Sequence, residues 1–188
     1  MQPNDPLSAL EELALDTESG AFNVDFARKL IRFHFWENQR VWDLAIAPLT
    51  EDQFLREVKF LRGSVQSECQ GLINTESVYL QRILGASPVT GAPLEDITDQ
   101  AVIAARWLSL RRAWAEFAQE LDGELFFSRC EFESDGRRHT MAVWQLIFHV
   151  LYQGTARRSQ ILRLVAELNQ PAAFDLSLLQ HLTGLLRE

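Results

Sequence analysis

Basic residues are few in this chain, and lysine is almost absent from it. The 188 residues include 18 lysines and arginines against 26 aspartates and glutamates, so that the net charge is −8. Only Lys29 and Lys59 are lysines. A surface that binds nucleic acid needs clustered positive charge to displace the counterions of the phosphates. The charge balance therefore disfavours nucleic acid as a partner.

Long apolar runs and cysteine motifs are also missing. No run of about 18 apolar residues occurs, which is the length that a membrane-spanning helix needs, and the N-terminus lacks the layout of a secretion signal. The two cysteines, Cys69 and Cys130, have no CxxC or Cys/His spacing typical of disulfide frameworks or zinc sites. Glycine-rich phosphate loops and a Gly-x-Ser-x-Gly elbow are absent, which disfavours nucleotide and serine-hydrolase chemistry. We expect a cytoplasmic protein with reduced thiols and no membrane partner.

Apolar residues at helical spacing dominate the rest of the sequence. Pro48 ends the first long segment, because proline lacks the amide hydrogen that a continuing helix needs. Thr50 looks like the cap of a short helical piece, a second long helix opens at Ser64, and Thr98 with Asp99 can cap a third. Four long helices are predicted, over 24–47, 64–84, 98–121 and 142–168. The five tryptophans have helical spacing and are expected mostly in the core.

A short β-hairpin is predicted between the third and fourth long helices. Ser134-Asp135-Gly136 favours a tight turn between the segments 127–133 and 138–141. A short terminal helix is expected over 175–186. Residues 1–20 carry five acids and no base, which indicates a flexible extension before a domain over 21–188. The fold class is all-α, and the simplest architecture is an up-down four-helix bundle with one crossover connection.

Polar residues interrupt the apolar seam of the fourth long helix. His149, Gln153 and Arg157 follow one another at a spacing of four and share a helical face. In one interpretation Arg157 pairs with a carboxylate of a neighbouring helix, such as Glu68, and only fixes how the helices dock. In the other, the three side chains line a pocket in which the guanidinium binds an anion. The sequence leaves both interpretations open.

Three segments together resemble the DinB/YfiT-like family. The stretch from Asp135-Gly136 through Thr140 and Trp144-Gln145 to His149 is similar to the family's hairpin and following helix. The residues 32–40 (RFHFWENQR) resemble the start of its first helix, and 64–80 resemble its second helix. The resemblance covers residues 24–182 and implies a DinB-type bundle with the hairpin before its fourth long helix.

The resemblance also implies a metal site that this chain has lost. Typical members hold a divalent metal such as zinc or nickel with one histidine on the second helix and a His-x-x-x-His pair on the fourth. The pair falls on Gln153 and Arg157 here, and the remaining ligand falls on Gly71 or, one residue earlier, Gln70. A guanidinium has no lone pair for a metal, so we expect neither a metal nor another cofactor. The predicted pocket consists of His149, Gln153, Arg157, Gly71, Gln70 and Glu68.

Two classes of function remain for such a chain. The first is a metal-free binding or interaction protein, with an anionic small molecule at Arg157. The second is a thiol-dependent transferase or isomerase, or a hydrolase, because the resemblance implies such activities for metal-containing relatives. The resemblance further implies a bacterial protein that forms a homodimer through its bundle helices. Loss of all three histidines favours the first class and assigns no catalytic residue.

Overall fold

A computed structural model of the chain describes residues 23–85, 97–134, 136–168 and 176–182. The predicted extension over 1–20 and Asp135 of the predicted turn lie outside the described residues. The described part is mostly helical and contains a two-stranded hairpin directly before the last long helix, as predicted. No helix in these ranges combines the length and the apolar character needed to cross a membrane.

The helices and strands are numbered here in chain order. They are α1 (Val24–Val41), α2 (Glu51–Leu55), α3 (Val65–Ile83), α4 (Gln100–Glu120), α5 (Gly123–Phe127), β1 (Arg129–Ser134), β2 (Arg137–Ala142), α6 (Val143–Glu167) and α7 (Leu178–Leu182). The strands pair antiparallel, with Cys130 opposite Met141 and Ser134 opposite Arg137. Gly136 has a φ of 69°, a conformation that glycine adopts readily in tight turns.

Side-chain caps begin α2, α3 and α4 close to the predicted starts of these helices. Thr50 and Gln53 form a capping box at the start of α2, and Ser64 and Ser67 form another at the start of α3. Asp99 accepts a hydrogen bond from the amide of Ala101 at 2.7 Å, at the start of α4. These caps satisfy amide groups that have no partner within the first helical turn.

Two boundaries differ from the predictions. The first long helix was expected to run to residue 47. Its α-helical part, α1, ends at Val41, and a π-helical turn over Trp42–Ile46 follows directly. Phe127 was expected in the first strand, but it ends α5, whose N-cap Asp122 accepts a hydrogen bond from Leu125. Two adjacent phenylalanines favour a strand locally, and here the Asp122 cap and the burial of Phe126 outweigh that preference.

The four long helices pack around two apolar clusters. α3 packs against α6 and α4, and α1 packs against α6 and α4, so that the α1/α4 and α3/α6 pairs lie on opposite sides. One cluster includes Leu72 of α3, Trp107 of α4 and Ile161 of α6. The other includes Trp114 of α4 and Val150 of α6. On α3 and α6, the buried polar residues Glu76 and Arg158 lie between the parts of the helix that belong to the two clusters.

Candidate functional site

Arg157 and Glu68 form an ion pair between α6 and α3. Nη1 of Arg157 donates a hydrogen bond to Oε2 of Glu68 at 3.0 Å. The two side chains are 32% and 21% exposed, so the pair is in partial contact with solvent. Nε of Arg157 is buried and has no hydrogen-bond partner among the described residues. The pairing that the sequence suggested for Arg157 is therefore present.

The guanidinium of Arg157 occupies the space beside Gly71. A Cβ atom at position 71 would lie 2.3 Å from Nη1 and 2.7 Å from Cζ of Arg157. Real Cβ contacts do not become this short, so any larger residue at position 71 would displace the guanidinium. Gly71 and Arg157, two of the three positions implied as metal ligands, are thus in direct contact. The guanidinium of Arg157 fills the space that a side chain at position 71 would need.

The other predicted site residues are more scattered. Gln153 lies one turn before Arg157 and is partly exposed. Gln70 is buried and accepts a hydrogen bond from Gln66 at 2.9 Å. The ring of His149 packs against Tyr79, with 4.6 Å between the ring centroids. Burial and, secondly, the charge of Arg82 lower the pKa of His149.

The chemistry of these positions does not fit a divalent metal. Gly71 has no side chain, and the permanently protonated guanidinium of Arg157 offers hydrogen-bond donors and repels cations. Within the described ranges, no group of three or more His, Cys, Asp or Glu residues could hold a metal ion. Cys69, which follows Glu68 in the chain, is buried, and burial raises the pKa of its thiol.

A second polar cluster, which the sequence did not predict, lies between the two apolar clusters. We call it the buried network. It joins three of the long helices and consists of His34, Glu37, Asn38, Glu76 and Arg158. Glu76 has no exposed surface, and the exposure of the other four is between 2% and 7%.

Arg158 is the centre of the buried network. Its Nη1 donates to Oδ1 of Asn38 at 2.8 Å and lies 3.0 Å from Nδ1 of His34. Its Nη2 donates to Oε2 of Glu37 at 2.5 Å and to the hydroxyl of Thr155 at 3.1 Å. A buried charge is tolerated only with such partners, because its desolvation is otherwise uncompensated.

These contacts define the tautomer of His34. Arginine can only donate, so Nδ1 of His34 accepts the bond from Arg158 and the ring proton resides on Nε2. Nε2 then donates to Oε1 of Glu76 at 2.7 Å. Burial lowers the pKa of His34, although Glu76 opposes the shift. The imidazole is therefore neutral and acts as a link between two helices.

Glu37 and Glu76 are the carboxyl groups of the buried network. Burial raises the pKa of Glu37 to about 7, and the charge of Arg158 acts in the opposite direction. Oε1 of Glu76 also accepts from Nδ2 of Asn38 at 2.8 Å, whereas its Oε2 has no partner among the described residues. With so little exposure, these groups position helices and are not accessible to a substrate in this conformation.

Gly154 allows α6 to approach the buried network closely. A Cβ atom at position 154 would lie 2.1 Å from Cε1 and 2.8 Å from Nδ1 of His34. Gly154 and Arg158 are one turn apart, so both face α1. Polar residues at core spacing on α1, together with the Gly154-to-Arg158 spacing, were the signal that could have identified this cluster.

Comparison with known proteins supports only the family assignment. A sequence model of the DinB family matches residues 24–185 of the chain. Neither a curated protein nor a solved structure matches the chain.

Proposed function

Since this chain belongs to the DinB family, we propose that it is a metal-free member that binds a small anion where typical members hold a metal. The proposed architecture is the family's up-down four-helix bundle, formed by α1, α3, α4 and α6. In this proposal the chain is a binding or interaction protein and not a metal-dependent enzyme.

The observation that carries the proposal is the guanidinium of Arg157 against Gly71. It places a fixed positive charge at the implied metal position and offers several hydrogen-bond donors in one plane. Such a group attracts carboxylate or phosphate groups. It has no coordination position and cannot generate a metal-bound hydroxide, which is the nucleophile in many zinc enzymes.

Glu68 is the internal competitor of the proposed anion. Its Oε2 accepts the hydrogen bond from Nη1 of Arg157 and adds a negative charge to the same place. An incoming anion has to share the guanidinium with this carboxylate or displace it. Neutralising Glu68 should therefore strengthen anion binding, and removing the arginine should abolish it.

Metal analysis tests the metal-free part of the proposal. We expect the purified, tag-free protein to contain no stoichiometric metal, and added zinc or nickel not to raise its melting temperature. A variant combining Gly71→His, Gln153→His and Arg157→His is the positive control, because it restores three imidazoles on two facing helices. A stoichiometric metal in the unmodified protein would overturn the proposal and favour a metal-dependent transferase or hydrolase.

Inorganic phosphate tests the anion-binding part. At constant ionic strength, phosphate should raise the melting temperature of the unmodified protein, since a ligand that binds only the folded state stabilises it. We expect a larger increase in Glu68→Gln and no increase in Arg157→Ala. The same response in all three proteins, or none in any of them, would contradict anion binding at this position.

A further inference from the structure

A groove runs between α1 and α4, on the side opposite the α3/α6 contact that contains Arg157. Its volume is about 550 Å³, within the usual range for small-molecule sites of about 300–1,000 Å³. The residues that determine its chemistry are Arg28, Arg32, Phe35, Trp36, Arg111 and His181. We call this space the α1/α4 groove.

The α1/α4 groove is positively charged in a chain whose net charge is −8. Three arginines line it, and none of its described lining residues carries a carboxylate. Asp25 lies nearby but pairs with Arg28 at 3.1 Å. A concave surface lined by one sign of charge raises the local concentration of ligands of the opposite sign. The groove therefore favours an anionic ligand.

The three arginines differ in how far their donors are already used. Arg28 donates to the carbonyl groups of Ala118 and Leu121 at 2.9 and 2.8 Å, at the end of α4. Arg111 donates from Nη1 to Oε1 of Gln39 at 3.1 Å. Arg32 is exposed and makes no hydrogen bond or ion pair with a described residue. Arg32, with support from Arg111, is thus the cation available to a ligand.

Aromatic rings form the apolar part of the α1/α4 groove. Phe35 is buried, and Trp36 stacks on Phe33 with 5.7 Å between centroids and an interplanar angle of 20°. The ring of His181 lies 5.2 Å from that of Trp36. Phe33 and His181 hold the Trp36 ring in place, the guanidinium of Arg40 lies 5.2 Å from its centroid, and part of the ring remains exposed. A flat apolar group packs well against such a surface.

A smaller adjoining cavity of about 240 Å³ shares Phe35 and Arg111 with the α1/α4 groove. Trp42 and Trp107 line it. Trp107 is only 5% exposed, and its Nε1 is buried without an acceptor among the described residues. A buried donor without an acceptor is costly, so a ligand atom or a water molecule that accepts from it is expected here.

We propose that the α1/α4 groove binds a planar aromatic anion, with its carboxylate at Arg32 and Arg111 and its ring against Trp36 and Phe35. The proposal names a site on another side of the molecule from Arg157 and does not depend on a metal-free centre. Its ligand class follows from the joint presence of an arginine without a partner among the described residues, an aromatic wall and an apolar floor.

Calorimetric titration with 2-naphthoate tests this proposal. We expect saturable 1:1 binding, weakened about tenfold or more in Arg32→Ala, because a charge-assisted hydrogen bond is lost. Arg112→Ala is the matched control, since Arg112 of α4 is, like Arg32, an exposed helical arginine but does not line the groove. The neutral 2-naphthamide should bind more weakly than the acid and should not respond to Arg32→Ala.

Three results would overturn the proposal. They are the absence of saturable binding at millimolar 2-naphthoate, an equal loss of affinity in Arg32→Ala and Arg112→Ala, and equal affinities for the acid and the amide. Melting temperatures equal to that of the unmodified protein show that the variants are folded. Arg157→Ala should retain naphthoate binding, and Arg32→Ala should retain the phosphate response, so this site and the Arg157 site can fail separately.

Discussion

Replacing Arg158 with alanine should destabilise the protein far more than the same change at the adjacent Arg157. Arg158 is 2% exposed and is bonded to Glu37 and Asn38. Its removal leaves buried carboxylates without a counter-charge, which typically costs about 3–5 kcal/mol. Arg157 is 32% exposed and has one ionic partner, so its loss should cost about 1 kcal/mol or less.

Urea unfolding followed by circular dichroism measures this difference. With a slope of about 2 kcal/mol per molar urea, the midpoint of Arg158→Ala should fall by about 2 M, and that of Arg157→Ala by less than about 0.5 M. The two variants remove the same side chain from consecutive positions of one helix, so helix propensity affects both equally. Equal midpoints, or a loss below about 1 kcal/mol for Arg158→Ala, would refute a structural role for the buried network.

A double variant separates the loss of the ion pair from the loss of packing. Arg158→Met keeps much of the side-chain volume, and Glu37→Gln removes the carboxylate that Arg158 contacts. If an unpaired charge causes the instability, the double variant should be more stable than Arg158→Met alone. If the loss of stability in the double variant instead equals the sum of the losses in Arg158→Met and Glu37→Gln, packing dominates.

Three shorter predictions concern neighbouring groups. Gly154→Ala should be strongly destabilising, because the new methyl group would overlap the buried ring of His34. Gly71→Ala should be nearly neutral, because the flexible end of Arg157 can move. The midpoints of urea unfolding distinguish the two variants. Burial raises the pKa of Glu37 from 4.5 to about 7, so the folded state binds this proton more tightly than the unfolded state does. The stability that the bound proton contributes is therefore lost as the pH rises from 4.5 to about 7. Glu37→Gln should therefore gain stability relative to the unmodified protein between those pH values, and a constant difference across them would contradict the raised pKa. In Glu68→Gln, loss of the ionic partner of Arg157 should change the unfolding free energy by about 1 kcal/mol or less, because the pair is partly exposed; a loss of several kcal/mol would contradict this assignment.

Helix boundaries were predictable because their signals are local. Thr50, Ser64 and Asp99 each cap the helix that follows them, and only a few residues determine each of those turns. The π-helical turn over Trp42–Ile46 was not predictable, because it shifts hydrogen bonds by one residue without changing which segment is helical. The short helix α5 was missed because Phe126 and Phe127 suit a strand equally well.

The position of the seam on α6 was predicted one residue away from where the structure has it. The spacing of four and three placed Gln153 and Arg157 toward the core, but Gly154 and Arg158 are the buried pair. Two consecutive arginines look equivalent in a sequence pattern. The choice depends on carboxylates that are distant in the chain, such as Glu37, which is 121 residues from Arg158. Periodicity of one helix alone does not contain that information.

The separation of the two arginines explains how residues at the implied ligand positions can vary without disturbing the helix packing. The buried network joins α1, α3 and α6 through Arg158, whereas the implied ligand positions Gly71 and Arg157 lie on the more exposed side of the α3/α6 contact. The residues at positions 71 and 157 need only be compatible with each other. The Arg157 guanidinium at its present place leaves no room for a Cβ atom at position 71. A histidine introduced at 71 alone would therefore have to displace the Arg157 guanidinium, so a variant that carries imidazoles at these positions needs both of them changed together.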